Sequence, residues 1–297
     1  MIQPPFLKPS DTVYITAPAK AIEESSVLAA KKTLEAWGLK VRIAPHCLGR
    51  HHYFSGSDEE RLADFQDGLD DPSIKAILCA RGGYGCVRMV ESLNWDAFER
   101  HPKWIIGFSD VTVFHQKIHQ LGIQSIHAIM PLGFVEGSDA AKESLKKILF
   151  GEPVMLEAPY LTVNITGKAT GKLVGGNMAI VSSLLGTPLS YSFKDNILIL
   201  EDIGEHVYKI DRMLYSLKLA GAFSQIKGLV LGGFTDMEDT DVPFGKTIKE
   251  LILEQVRHLE IPVAFDLPIG HITDNQAFVL GRTASLQVTD IKTALLI

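Results

Sequence analysis

The sequence has few of the features that mark secreted, membrane-spanning or nucleic-acid-binding proteins. It has only three cysteines in 297 residues, and they lack metal-ligand spacing, so neither a disulfide framework nor a zinc site is expected. No apolar run approaches the roughly 18 residues of a membrane span, and the N-terminus lacks the pattern of a signal peptide. The net charge is −6, with no dense basic stripe. We therefore expect a cytoplasmic protein with no membrane or nucleic-acid partner.

The composition and the pattern of the first half predict an α/β fold. Hydrophobic residues make up 46% of the chain and charged residues 22%, as in ordinary globular proteins, and the length favours two domains. β-rich runs alternate with amphipathic segments, and a capping box at Ser57 and Glu60 opens one of the helices. Repeated βα units of this kind predict a parallel, doubly wound sheet with its site at the carboxyl ends of the strands. The expected strands are 12–16, 39–44, 74–80, 104–107 and 124–129, and the expected helices are 22–37, 57–69 and 111–121.

The pattern changes after residue 131. We interpret 1–150 as an N-terminal domain, 131–165 as a glycine- and proline-rich crossover around a helix at 139–149, and 165–297 as a second α/β domain with a mixed sheet. In the second domain we expect strands at 171–174, 197–200, 228–231 and 277–280, a helix after residue 177, and further helices at 207–219 and 246–259.

Ser109 stands at a corner that suits a nucleophile. The apolar strand 104–107 ends in Gly107-Phe108-Ser109, and a helical pattern follows. A serine at a strand-to-helix corner presents its hydroxyl at the top of the sheet, where the next backbone N–H and the helix N-terminus favour an oxyanion. Val111 replaces the second glycine of the full G-x-S-x-G motif. An ordinary turn, in which glycine supplies φ freedom and serine a cap, remains the alternative.

A serine nucleophile requires a base, and the base requires an orienting acid. His271 lies in a loop rich in turn formers, and Glu201 ends the apolar strand 196–200, with Asp202 and Glu205 as close alternatives. The chain order would then be Ser, Glu, His, as in α/β-hydrolases, with the site in the cleft between the domains. We interpret His51 and His52 as part of a surface loop, and His115 and His119 as part of a partly exposed helix face.

Two readings compete for the glycine-rich loop 82–85. Cys86 could be a thiol nucleophile, although the segment 86–90 predicts a helix with Cys86 on its apolar face. The loop could instead hold a phosphate, but it lacks the spacing of the known phosphate motifs. A third possibility is a two-domain protein that binds a ligand without chemistry. By position, Tyr84 and Asn177 are candidate substrate-binding residues.

Several stretches together resemble the LD-carboxypeptidase family of serine peptidases, which includes the muramoyltetrapeptide carboxypeptidases. They occur in the family's order and span most of the chain. The most specific pair is Arg81-Gly82-Gly83-Tyr84-Gly85 and Gly107-Phe108-Ser109-Asp110. The supporting stretches are 15–19, 173–177, 200–205 and 268–271. One departure is His127-Ala128-Ile129-Met130, where a His-Gly-Pro-like start is expected.

The resemblance implies a flavodoxin-like N-terminal domain, a C-terminal swivelling α/β domain, and a homodimer. It assigns Ser109 as nucleophile, Glu201 as acid and His271 as base, with the N–H groups of Gly83 and Asp110 as oxyanion donors and no metal or cofactor. Members release D-alanine from the L-centre of a diamino acid in murein peptides, during cytoplasmic recycling. A sister branch, the microcin-immunity peptidases, cleaves a peptidyl or acyl nucleotide. The stretch 200–205 and the modest length favour the murein branch.

Overall fold

The computed structural model describes residues 1–297, which form two units. The first unit contains Met1–Glu152 and Thr273–Leu280, and the second contains Pro153–Ile272 and Gly281–Ile297. The chain thus enters the second unit, returns to the first for eight residues (273–280), and leaves it again. None of the helices is long and apolar enough to cross a membrane.

Thirteen strands and ten α-helices, numbered here in chain order, make up the two units. The strands are β1 (Thr12–Thr16), β2 (Lys40–Ile43), β3 (Ile74–Cys79), β4 (Trp104–Gly107), β5 (Ser125–His127), β6 (Met155–Pro159), β7 (Gly167–Asn177), β8 (Ile197–Ile203), β9 (Gly228–Thr235), β10 (Val263–Ala264), β11 (Phe278–Leu280), β12 (Thr283–Val288) and β13 (Lys292–Leu296). The helices are α1 (Glu24–Ala36), α2 (Asp58–Asp70), α3 (Asp96–Arg100), α4 (Thr112–Gln120), α5 (Pro131–Glu136), α6 (Asp139–Phe150), α7 (Met178–Ser183), α8 (Val207–Leu219), α9 (Ala222–Gln225) and α10 (Ile248–Val256).

The first unit has the expected parallel sheet. Its strands run in the order β2-β1-β3-β4-β5, all parallel, and this is the flavodoxin-like order. β3 and β4 are apolar and almost wholly buried, as strands covered on both faces must be. The strand order reverses between β1 and β3, so the loops that follow β1, β3 and β4 meet at the topological switch point, where such sheets bind ligands.

One strand of the first sheet comes from far along the chain. β11 pairs antiparallel with β5 at the edge of this sheet. The sequence placed this strand in the second domain, within 165–297. The structure instead places Thr273–Leu280 in the first unit, where Phe278 stacks on the buried ring of His127 with 4.5 Å between the ring centroids.

The second unit contains a seven-stranded mixed sheet in the order β10-β9-β8-β7-β12-β13-β6. The first four strands are parallel, and the last three pair antiparallel. β7, β8 and β9 pack their apolar side chains against α8 and α10; the buried cluster includes Val174, Leu198, Leu200, Ile210, Leu214, Leu229, Leu251 and Val256. Helix α8 has the predicted bounds, whereas the predicted helix 246–259 is α10 followed by a 3₁₀ turn, Arg257–Leu259.

Candidate active site

Ser109 occupies a left-handed backbone conformation at the carboxyl end of β4. Its φ is +63°, and it opens a 3₁₀ turn, Ser109–Val111, that leads into α4. A non-glycine residue in this region typically costs about 1–3 kcal/mol and persists only where the surrounding structure holds it. The strained corner keeps the partly exposed hydroxyl of Ser109 at the top of the sheet.

Gly82 lies directly against Ser109. A Cβ atom built on Gly82 would be 2.9 Å from the Cβ of Ser109, 3.1 Å from its Oγ and 3.3 Å from the backbone N of Asp110. Only glycine therefore fits at position 82 without displacing the serine. Sequence reasoning assigned a role to Gly83 and missed Gly82, although the Gly-Gly pair was the available signal.

The buried carboxylate of Asp110 ties the glycine-rich loop to this corner. Its Oδ2 accepts a hydrogen bond from the backbone N–H of Cys86 at 2.8 Å. Burial raises the pKa of Asp110, and the backbone hydrogen bonds from Cys86 and Gly85 oppose that rise. The loop after β3 and the turn after β4 are thus held together by one side chain.

The side chain of His115 hydrogen-bonds to the end of β4, next to the same corner. It is fully buried: its Nε2 donates to the carbonyl of Gly107 (2.9 Å), and its Nδ1 accepts from the hydroxyl of Ser125 (2.8 Å). Burial lowers its pKa to about 4, so the ring is neutral at physiological pH. The sequence interpretation of His115 as an exposed helix position is therefore wrong, because this face of α4 packs on the sheet.

In the second unit, Glu201 and His271 form a hydrogen-bonded pair. Glu201 is fully buried near the end of β8, and its Oε2 lies 2.6 Å from the Nδ1 of His271. The backbone N–H of His271 donates to the same oxygen at 3.3 Å. Gly270, with a φ of +94°, lets the backbone approach Glu201 closely, since a Cβ there would be 2.6 Å from the Cβ of Glu201.

This pair has the electrostatics of a catalytic base and its orienting acid. Burial by itself would lower the pKa of His271, but the hydrogen bond and the charge of Glu201 outweigh it and raise the pKa above its usual value. The Nδ1 proton of the neutral ring is directed at Glu201, which leaves the lone pair on Nε2. The imidazole is 16% exposed, so it is accessible to a substrate.

The alternative acids make other contacts. Asp202 accepts hydrogen bonds from the Nδ2 of Asn177 and the backbone N–H of Ala179, each at 2.9 Å. Burial raises the pKa of Asp202 to about 6. Glu205 forms an ion pair with Lys209 at 3.5 Å. Glu201 is therefore the carboxylate that orients His271.

Asn177 caps a helix. Its Oδ1 accepts from the backbone N–H of Ile180 at the start of α7, and it is almost fully buried. Its role as a substrate-binding residue stays a prediction. Tyr84 is 46% exposed beside the ring of Phe54, with 6.2 Å between the centroids, and its role as a substrate-binding residue also stays a prediction.

The structure disfavours both alternative interpretations of the glycine-rich loop 82–85, namely Cys86 as a thiol nucleophile and the loop as a phosphate site. Cys86 is fully buried, and burial raises its thiol pKa well above the usual value, so the nucleophilic thiolate is strongly disfavoured. The predicted helix after the loop is only a 3₁₀ turn, Cys86–Arg88, so no α-helix N-terminus faces a phosphate. No three His, Cys, Asp or Glu side chains are grouped as metal ligands.

Comparison with known proteins decides the family. The profile of the LD-carboxypeptidase N-terminal domain matches residues 13–128, and that of the C-terminal domain matches residues 170–286. The probable murein peptide carboxypeptidase of Bacillus subtilis is 35% identical over 99% of this chain and 94% of its own. The chain belongs to the LD-carboxypeptidase family.

A further relative and two solved structures match over comparable lengths. The murein tetrapeptide carboxypeptidase of Pseudomonas aeruginosa is 31% identical over 93% of this chain and 92% of its own. The crystal structure of muramoyltetrapeptide carboxypeptidase from Oxalobacter formigenes superposes with a TM-score of 0.88 at 28% identity, over 96% of this chain and 98% of that one. The microcin C7 self immunity protein MccF, 20% identical with a TM-score of 0.86 over 98% and 97% of the chains, shares the fold.

Proposed function

We propose that this LD-carboxypeptidase family member is a serine peptidase that releases terminal D-alanine from murein tetrapeptides, a reaction of peptidoglycan recycling. Family membership makes the chain a carboxypeptidase-type hydrolase. The similarity to proteins named as murein peptide, murein tetrapeptide and muramoyltetrapeptide carboxypeptidases supports murein peptides as the substrate class. The bond cleaved would join the L-centre of a diamino acid to D-alanine.

The assignment of Ser109 as the nucleophile depends on its left-handed backbone conformation and on the close contact of Gly82 with its side chain. Strain of this kind concentrates at functional sites, because the fold must stabilise it elsewhere. Ser10, an exposed turn serine, also has a left-handed φ of +72°, so the contact between Gly82 and the side chain is what distinguishes Ser109.

In the proposed acylation step, the Oγ of Ser109 attacks the scissile carbonyl while the Nε2 of His271 takes the hydroxyl proton. Glu201 stabilises the imidazolium that forms. The N–H groups of Gly83 and Asp110 would bind the oxyanion, and one such donor is typically worth about 10²–10³ in kcat.

Collapse of the tetrahedral intermediate breaks the C–N bond. The proton held on His271 passes to the amine of the leaving D-alanine, which leaves an acyl ester on Ser109. Water then attacks the ester, with His271 accepting its proton. The bond between the acyl carbon and the Oγ of Ser109 breaks, His271 returns the proton to that oxygen, and the tripeptide leaves.

Mass spectrometry of a murein tetrapeptide incubated with the purified protein tests this proposal. We expect the loss of one alanine with the wild type, in the presence of EDTA, and none with Ser109→Ala. Release of alanine by Ser109→Ala would overturn the serine assignment. An intact tetrapeptide together with cleavage of a peptidyl nucleotide would transfer the activity to the microcin-immunity type, which the shared fold does not separate from the murein type.

A further inference from the structure

Three loops meet beside the glycine pair at the switch point of the first sheet. The backbone N–H of Lys20, in the loop after β1, donates to the carbonyl of Gly82 at 3.2 Å. The next residue, Ala21, donates to the carbonyl of Tyr53 at 3.1 Å. The segment around Lys20 is therefore fixed on one side to the glycine-rich loop and on the other to the segment around Tyr53.

Side chains from these loops surround Gly83. A Cβ built on Gly83 would be 2.6 Å from the hydroxyl of Tyr53 and 3.2 Å from the Cβ of Lys20. The ammonium of Lys20 lies 5.2 Å from the centroid of the Tyr53 ring. A cation and a phenol hydroxyl therefore stand beside the glycine proposed to bind the oxyanion.

Arg81 adds a second positive charge to this place. It directly precedes Gly82 and is partly buried. Burial raises the pKa of Tyr53, the negative charge of Asp110 adds to the rise, and the positive charge of Arg81 opposes it. Both Arg81 and Asp110 are therefore close enough to act on the Tyr53 hydroxyl.

Neither Arg81 nor Lys20 has an acidic partner in the structure. Of the other five arginines of the first unit, Arg100 is exposed and without an ion pair, and four form ion pairs with carboxylates: Arg42, Arg50, Arg61 and Arg88. Neither cation forms an ion pair with Asp110, whose Oδ2 accepts the N–H of Cys86. Two unpaired cations side by side in an acidic protein, beside a candidate nucleophile, point to an anionic ligand.

The substrate of a carboxypeptidase carries such an anion at a fixed distance from the reacting carbon. The terminal carboxylate is three bonds beyond the scissile carbonyl, about 4 Å away. Gly82 contacts Ser109, and Arg81 is the adjacent residue. The guanidinium fork binds carboxylates through two parallel hydrogen bonds.

We propose that Arg81 and Lys20 bind the terminal carboxylate of the substrate and so make the enzyme an exopeptidase. This inference rests on the proposed function, since it names the group that the same site recognises. Tyr53 supplies a hydroxyl at the same place. In this arrangement the two cations hold the carboxylate while the scissile carbonyl lies against Ser109.

The test compares a murein tetrapeptide with the same peptide amidated at its C-terminus. For the wild type we expect kcat/KM to be at least 10²-fold higher on the acid than on the amide, because a buried charge partner typically contributes roughly this factor. Arg81→Gln should lower kcat/KM on the acid by about 10²-fold, whereas kcat/KM on the amide should stay within about threefold of the wild-type value. Lys20→Gln should give a smaller loss of the same kind. Arg81→Lys should restore part of the preference, and Arg50→Gln, which removes an ion-paired surface arginine, should leave both substrates unchanged.

Binding of both peptides to Ser109→Ala, measured by calorimetry with and without Arg81→Gln, separates the subsite from the reaction. If Ser109→Ala binds the acid more tightly than the amide and Arg81→Gln abolishes this difference, the subsite is supported. Absence of alanine release by the wild type would then overturn only the proposed function. The wild type could release alanine while the ratio of kcat/KM on the acid to kcat/KM on the amide is unchanged in both Arg81→Gln and Arg81→Lys. That result would overturn the subsite and leave the proposed function standing. Failure to bind or cleave either peptide overturns both.

Discussion

The candidate nucleophile and the candidate base are held by different physical means. In the first unit, backbone geometry positions Ser109: a left-handed φ, the close approach of Gly82, and a buried histidine that hydrogen-bonds to the backbone of β4. In the second unit, charge positions His271: a fully buried carboxylate accepts both its ring N–H and its backbone N–H.

This difference implies that the two regions respond differently to change. Added volume should damage both regions, because Gly82 lies against Ser109 and Gly270 lies against Glu201. A lost charge should damage the second, because the carboxylate sets both the orientation and the pKa of the histidine.

The largest effect is expected from Ser109→Ala. Removal of the hydroxyl removes the attacking atom, so kcat should fall by about 10⁴-fold or more, as for other serine enzymes. Alanine also takes the left-handed φ poorly, so thermal unfolding should be recorded beside the rate. Ser109→Gly, which accepts this φ readily, should be equally inactive; activity in either variant would remove Ser109 from the reaction.

Glu201→Gln should lower kcat by about 10³–10⁴-fold, because an amide does not stabilise the imidazolium. It should also change the pH profile. In the wild type, kcat/KM rises with pH as His271 loses its proton, at a pKa that Glu201 holds above the usual value. Without that charge, burial lowers the pKa of His271 and only the charge of Asp202 opposes it, so the acid limb should move to lower pH. An acid limb at the wild-type position would contradict the pairing.

Gly82→Ala tests the steric side of the contrast. The new methyl would lie 2.9 Å from the Cβ of Ser109, so we expect a loss of about 10²-fold in kcat from displacement of the nucleophile, with the acid limb unmoved. Gly122→Ala is the control, because it meets no atom within 4 Å and is strained only by its φ of +73°. Equal activities of the two variants would show that the contact with Ser109 has no role.

Asp110→Asn makes the same carboxylate-to-amide change in the first unit and should have the smallest effect. An amide oxygen can still accept the N–H of Cys86, so we expect less than a tenfold loss in kcat, with the pH profile unchanged. Asp110→Ala, which removes the acceptor, should lose more. A displaced acid limb in Asp110→Asn would mean that charge positions the first region too.

Local patterns predicted most of the fold and the residue types of the site. Strand β4 and helix α8 have the predicted bounds, because apolar runs and amphipathic periodicity are local properties. The sequence favoured Glu201 over Asp202 as the acid, but the hydrogen bond that pairs it with His271, 70 residues away, required the structure. Strand β11 was placed in the wrong unit because a three-residue strand carries no signal for the sheet it joins.

The missed residues share a physical reason. Gly82 matters for the space that it leaves to Ser109, and His115 for a hydrogen bond to a backbone carbonyl eight residues away. Neither the empty space nor the backbone partner is encoded in residue type. Lys20 and Tyr53, likewise, gain meaning only from the loops that meet beside Gly83.

The central claim is that Ser109 becomes covalently acylated. A murein tetrapeptide analogue with D-lactate in place of the terminal D-alanine is an ester, whose faster acylation lets the acyl-enzyme accumulate. Acid quenching, intact-protein mass spectrometry and peptide mapping should then find the tripeptidyl group on Ser109, and no adduct in Ser109→Ala. An adduct on Cys86, or lactate release by Ser109→Ala at the wild-type rate, would contradict the account.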